Sequence, residues 1–164
     1  MAKERIALVT GSYDPITAGH MYLIRSAAGM FDKVYVTICA NTEKAGGAFL
    51  PADRLKLAED AVTQAGLSNV EVVLNGGLVA DIAKQYGAGY LVRGVRNGVD
   101  FAYEYDLAAI MKRFDPTLET IFIPTDPAIA CISATYVRDL LKYGCPLGDA
   151  VPNSELTKAL YRAK

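Results

Sequence analysis

The sequence predicts an open α/β sheet, parallel and covered by helices on both faces, and three observations predict it. Strand-like and helix-like segments alternate from one end of the chain to the other. The strand-like runs are short and rich in Val, Ile, Leu and Tyr, as expected of strands buried on both faces. Connections between segments are short, with no low-complexity stretch and no repeat of solenoid length.

The first strand reads at residues 5–10, an apolar run entering a polar turn. A helix follows at 19–30, its start near Thr17, with Met21, Ile24, Ala28 and Phe31 close to helical period. Strands at 33–40, 69–74, 89–93 and 120–124 then alternate with helices at 52–64, 78–86 and 99–114. Two further helices read at 134–143 and 154–162, the second a small extension beyond Pro146. Pro51 suits a helix start, Gly87 and Gly144 suit helix ends, and Asp115-Pro116 stops the long helix. The whole is a doubly wound, Rossmann-like sheet of five strands, residues 1–164 forming one domain.

Composition narrows the chemistry. Apolar residues make up 52% and charged residues 21%, and the formal net charge is -1, so any polyanion recognition is local rather than spread over the surface. The apolar runs are strand-sized, which argues against a membrane partner, and the N-terminus lacks a signal-peptide core. Three cysteines without metal spacing favour reduced thiols and a cytoplasmic setting, and a single histidine argues against a protein-built zinc site. Neither Gly-x-x-x-x-Gly-Lys-Ser/Thr nor Gly-x-Gly-x-x-Gly occurs, which disfavours Walker-type ATPases and ordinary dinucleotide dehydrogenases.

In a doubly wound sheet, ligands bind beyond the carboxyl ends of the strands. The residues able to do chemistry fall there: Ser12, Tyr13 and His20 after the first strand, and Lys44 after the second. Arg93, Gly94 and Arg96 close the fourth, and Ser133 and Thr135 follow the fifth. His20 beside Gly19 at a helix start suits a phosphate, because the first amides of a helix lack partners; a packing or capping histidine is the ordinary alternative. Near that end of the dipole a neutral N–H donor is as natural as a cation. Lys44 reads equally as a solvated loop lysine. Arg93 and Arg96 flank a glycine in a fork suited to phosphate oxygens, though Asp100 or Glu104 offers them ion pairs instead. Ser133 is an anion-cradling N-cap or a plain one. Asp14 suits a turn with Pro15 better than a metal.

Gly11-Ser12-Tyr13-Asp14-Pro15-Ile16-Thr17-Ala18-Gly19-His20 resembles the signature of nucleotidyltransferases with a T/S-x-G-H element. Together with Arg93-Gly94-Val95-Arg96, Asp100-Phe101, Tyr103-Glu104 and Ile132-Ser133-Ala134-Thr135 followed by Val137-Arg138, it resembles the bacterial phosphopantetheine adenylyltransferases over nearly the whole chain. The resemblance implies reversible adenylyl transfer from ATP to 4'-phosphopantetheine, giving dephospho-coenzyme A and pyrophosphate, the penultimate step of coenzyme A synthesis. It implies magnesium, a homohexamer and coenzyme A as a feedback inhibitor. By position, His20 stabilises the transition state at the α-phosphorus; Ser12 and Tyr13 meet ATP, Ser12 touching the acceptor phosphate as well. Lys44 and Arg93 hold that phosphate and Val79 lines the pantetheine arm. Gly94, Val95, Arg96, Glu104, Ile129, Ala130, Cys131, Ile132, Ser133, Ala134 and Thr135 surround ATP. The chain departs from the family in Ser12 for a usual threonine, Ala134 for a common serine, no aromatic residue near Ile129, and one extra residue in the Lys44 loop. The readings left beside it are cytidylyl transfer to a polyol phosphate, a nucleotide-binding sensor without turnover, and a purely structural interaction protein.

Overall fold

The computed structural model describes residues 4–40 and 47–161. Five parallel strands lie in the order β3-β2-β1-β4-β5: β1 (Ile6–Gly11), β2 (Lys33–Ile38), β3 (Val70–Leu74), β4 (Tyr90–Val95) and β5 (Glu119–Pro124). Helices α1 (Ala18–Met30), α2 (Pro51–Gln64), α3 (Val79–Tyr86) and α4 (Gly98–Phe114) fill the crossovers. Beyond β5 come α5 (Ala134–Lys142) and α6 (Ser154–Leu160). The chain winds outward from β1 to β3, then returns to β4 on the other side of β1. That reversal opens a crevice beyond the carboxyl ends of β1 and β4.

Register explains why the strands read as continuous apolar runs. Val72, Val36, Val9, Val92 and Ile121 lie in one row across all five strands, so their side chains share a face. Val9, Val36 and Val92 are completely covered, packed in one cluster with Ile24 of α1 and Leu57 of α2. Leu8, one residue along, turns to the opposite face and packs with Ile82 and Ala83 of α3 and Leu91 of β4. Each such aliphatic side chain, fully buried, contributes about 1.5–3 kcal/mol.

The ends of the elements follow local chemistry. Gly87 takes φ +66° where α3 stops, a conformation open to glycine without penalty. Asn97 caps α4 by accepting from the Asp100 amide at 2.9 Å. Residues 146–161 are no loose tail: the Ala18 amide donates to Ala150 O at 2.9 Å, Asn153 donates to Asp60 at 3.0 Å, and the Tyr161 ring packs on Phe49. One boundary shifts in a way that matters. The sequence ends the fourth strand at Arg93, but β4 continues to Val95, because Gly94 pairs with Ile123 and Val95 with Pro124 of β5. Arg93 therefore sits inside the sheet.

Candidate active site

The turn after β1 is fixed by a carboxylate. Asp14 accepts from the amides of Phe49 at 2.8 Å and Ala48 at 3.0 Å and pairs with Arg54 at 3.3 Å. Arg54 also donates to the carbonyls of Phe49 and Ser12, and Arg138 of α5 donates to Asp14 O at 2.7 Å. Asp14 makes the turn and braces it, the alternative preferred from sequence. Its partners come from three separate parts of the chain, which rigidifies the ground on which α1 starts.

At that start, Thr17 and His20 form a reciprocal cap. The Thr17 hydroxyl accepts from the His20 amide, and the Thr17 amide donates to His20 Nδ1 at 3.0 Å. A backbone amide can only donate, so Nδ1 is the acceptor and the neutral ring carries its proton on Nε2. Burial, reinforced by the Arg93 and Arg96 charges, lowers the imidazole pKa from 6.5 to about 4. At neutral pH His20 is an uncharged N–H donor whose side chain lines a cavity. The capping role and the functional one belong to opposite edges of the same ring.

This titration has a consequence for stability. Between pH 6.5 and about 4 the unfolded chain takes up a proton on the imidazole that the folded chain refuses. Stability contributed by this group is intact above 6.5 and is lost as pH falls toward 4. The carboxylates held low by hydrogen bonds, Asp32, Asp100 and Asp115, start from 3.8 and act at lower pH. We expect the thermal midpoint to drop further between pH 7.5 and 5 in the wild type than in His20→Gln. Equal drops would contradict the assignment.

The cavity encloses about 430 Å³ at the carboxyl ends of β1 and β4. Its wall brings together Ser12, Gly19, His20, Arg93, Gly94, Arg96, Glu104, Ile132, Ser133 and Ala134, which are spread along the sequence. Gly19 faces the Ile132 carbonyl oxygen, 3.6 Å from where a Cβ would stand, an ordinary contact distance that does not itself demand glycine. Ser133 caps α5, accepting from the Tyr136 amide at 3.1 Å. Two helix starts thus face one volume, the favourable end of the dipole for an anion.

Both arginines take the ion pairs that the sequence held in reserve. Arg93 forks onto Glu104 through Nε at 2.7 Å and Nη2 at 2.8 Å, and its Nη1 donates to the Thr10 carbonyl and hydroxyl. Arg96 pairs with Asp100 at 2.7 Å, four residues on. The Arg96 link holds the Asp100 carboxyl below its usual range. These four Arg93 bonds leave one of its five N–H groups for a ligand. The Asp100–Glu104 proximity, unfavourable on a helix alone, is resolved by the two guanidiniums.

A second cavity of about 360 Å³ shares Thr10, Gly11, Ser12, Arg93 and Glu104 with the first. Its far wall is apolar: Val79, Leu91, Leu107, Ala108 and Met111. Cys39 lines it too, its thiol pushed up by burial.

Several expected residues lie elsewhere. The Tyr13 side chain is buried and lines neither cavity. Val95, Ile129, Ala130, Cys131 and Thr135 are likewise off both walls, the Thr135 hydroxyl being engaged by Arg138 at 2.9 Å. Val95 is carried away because it continues β4. Lys44 lies outside the described residues. Unforeseen members are Thr10, Leu23 and Thr125 in the first cavity and the α4 row Leu107, Ala108 and Met111 in the second. The spacing 104, 107, 108, 111 was the available signal, a single helix face carrying one carboxylate and three apolar residues.

Comparison with known proteins agrees with this geometry. Residues 8–140 match the family described as Cytidylyltransferase-like. A phosphopantetheine adenylyltransferase of Streptococcus suis (strain 05ZYH33) is 41% identical over 150 residues, 91% of each chain. One of Streptococcus pneumoniae (strain CGSP14) is 43% identical over 155 residues, 93% of each. Among solved structures, a putative nicotinate-nucleotide adenylyltransferase from Vibrio parahaemolyticus superposes with a TM-score of 0.73 at 21% identity, covering 99% of this chain and 98% of that one, a likeness of fold. The chain belongs to the cytidylyltransferase-like nucleotidyltransferases and, within them, to the phosphopantetheine adenylyltransferases.

Proposed function

We propose that the chain transfers the adenylyl group of ATP to 4'-phosphopantetheine, reversibly, yielding dephospho-coenzyme A and pyrophosphate. The observation that carries this reading is the pair of cavities with one common wall. The first is the more polar of the two and is faced by two helix starts; the second is the more apolar and shares Arg93 with it. ATP suits the first and a pantetheine arm, against Val79 and Met111, suits the second. Their phosphates then meet at Ser12 and Arg93, with Lys44 as the further cation the acceptor phosphate requires.

The chemistry is an in-line displacement. An acceptor phosphate oxygen forms a bond to the α-phosphorus as the bond to the bridging oxygen of pyrophosphate breaks. An ionised phosphate is already nucleophilic, so no protein base is needed. His20 donates its Nε2–H to an α-phosphate oxygen as charge develops there, and the remaining acceleration is positioning.

Magnesium fits as a companion of ATP rather than as a resident ion. Among the described residues no group of three His, Cys, Asp or Glu gathers to hold a metal, and Asp100 and Glu104 are forked by arginines. It would enter with the nucleotide phosphates, as this ion commonly does, and neutralise their charge.

We also infer one nucleotidyltransferase domain over residues 1–164, a cytoplasmic location, a homohexamer and feedback inhibition by coenzyme A. Supporting the location, no helix among the described residues is long and apolar enough to cross a membrane, and Cys39, Cys131 and Cys145 are free. Supporting assembly, α4 has no buried residue and exposes Val99, Phe101, Tyr105, Ile110 and Phe114, large apolar side chains of the kind that gather at protein–protein interfaces. Incubating the purified protein with ATP, magnesium and 4'-phosphopantetheine should yield equal amounts of dephospho-coenzyme A and pyrophosphate by mass. Product from CTP with a polyol phosphate, and none here, would replace the reading with cytidylyl transfer.

A further inference from the structure

The imidazole of His20 is anchored at one edge by Thr17, but an edge alone does not fix the plane of a ring. The second support is Tyr13. Its ring centroid lies 4.8 Å from that of His20, with the planes tilted by 58°. The Tyr13 hydroxyl donates to the Val9 carbonyl at 2.9 Å, so the ring is tied down at its far end inside the core. Its backbone holds φ +45°, a conformation uncommon for a bulky residue, and the following residue is the braced Asp14. Directly behind the ring stands Gly11, where a Cβ would come within 3.2 Å of Tyr13 Cε2. Glycine at 11 and a positive φ at 13 both serve to put an aromatic ring in this one place.

We propose that the Tyr13 side chain is a positioning residue for His20, a wedge between Gly11 and the imidazole that sets the direction in which Nε2–H is offered and excludes water from the ring's inner face. The kinetic part rests on the adenylyl-transfer reading; the geometric part does not. From the other elements, the charged groups near His20 are Arg93 and Arg96, each with its counterion on α4. Arg93 also interacts with Tyr13, whose phenol is held neutral by burial, so replacing that uncharged ring leaves both guanidiniums and their counterions in place.

The chain has one histidine, so its Cε1–H resonance can be titrated without ambiguity. Tyr13→Leu keeps an apolar side chain and removes the flat ring; Tyr13→Phe keeps the ring and loses only the tie to Val9. In Tyr13→Leu, kcat should fall about 10–100-fold with both KM values little changed, the signature of a misdirected donor. The imidazole midpoint should rise from about 4 toward 6.5 as water reaches the ring. Tyr13→Phe should return both readouts most of the way to wild type. Gly11→Ala, which displaces the ring while sparing Tyr13 itself, should shift both in the direction of Tyr13→Leu, and it carries the test if the leucine variant fails to fold. A folded Tyr13→Leu whose imidazole midpoint stays put would overturn the proposal, as would one with wild-type kcat. A wild-type protein that makes no dephospho-coenzyme A, while its imidazole midpoint still responds to Tyr13→Leu, sinks the reaction and leaves the wedge standing.

Discussion

Replacing His20 with alanine is expected to lower kcat by about 10²–10³-fold, or about 2.7–4 kcal/mol of barrier, the usual loss for one preorganised donor. The argument runs through the proton. Thr17 commits Nδ1 as acceptor, so Nε2–H is a fixed donor in the cavity wall, and it is neutral across the physiological range. A neutral donor attracts the ground-state phosphate only weakly, and its effect is concentrated where charge builds up during transfer. The KM values for ATP and acceptor should therefore move much less than kcat. His20→Gln refines the test, because glutamine is a usual partner at this position of a capping box and keeps the start of α1 intact. It should be as stable as the wild type near neutral pH and still slow. Steady-state kinetics at saturating ATP and acceptor read the result, and near-normal turnover in either variant would remove His20 from the mechanism.

The second large effect is expected from Arg93→Met, and it divides into two parts that separate cleanly. Arg93 joins β1 to α4, since it holds the Thr10 carbonyl and the Glu104 carboxylate at once. Losing it strands a mostly buried carboxylate. The cost should be about 2–3 kcal/mol, the lower end for such pairs because solvent still reaches the guanidinium. It also removes a cation from the shared wall, so the acceptor KM should rise about 10–100-fold while that for ATP changes less. Adding Glu104→Gln to Arg93→Met should restore much of the urea midpoint without restoring acceptor binding. If the double variant recovers both, Arg93 is a structural tie and no ligand contact.

These expectations show what the sequence could and could not convey. Strand runs such as residues 5–10 and the helix period of Met21 and Ile24 are local patterns, so the sheet and its helices were legible to within a residue or two. The end of β4 was missed by two residues, because Gly94 and Val95 are strand only by virtue of pairing with Ile123 and Pro124, far along the chain. His20 and Arg96 were legible as residues placed after strands, and Arg93 as one close to the end of its strand, although it lies within β4. Their partners were harder: the Arg93–Glu104 fork crosses from β4 to α4, and spacing alone did not choose between a phosphate and a carboxylate. The burial of the Tyr13 side chain was hidden for a different reason. Its place in a polar turn carries no sign of burial, and the positive φ that goes with its ring packing against His20 is invisible in the sequence. For α4 the apolar residues fall on no single stripe, so the sequence does not tell which of them are covered within the chain and which are left outward.

The wall common to the two cavities has a consequence for the end of the catalytic cycle. On the proposed reading, adenylyl transfer would join the two occupants into one molecule spanning both volumes across the shared Ser12 and Arg93. Such a ligand benefits from an intramolecular effective concentration, so neither half escapes easily while the other is seated. Departure of the welded molecule, rather than bond-making at phosphorus, is then the natural bottleneck of the forward direction. Inhibitors that tether an adenine-like head to an apolar tail across Thr10 and Gly11 would exploit the same chelation.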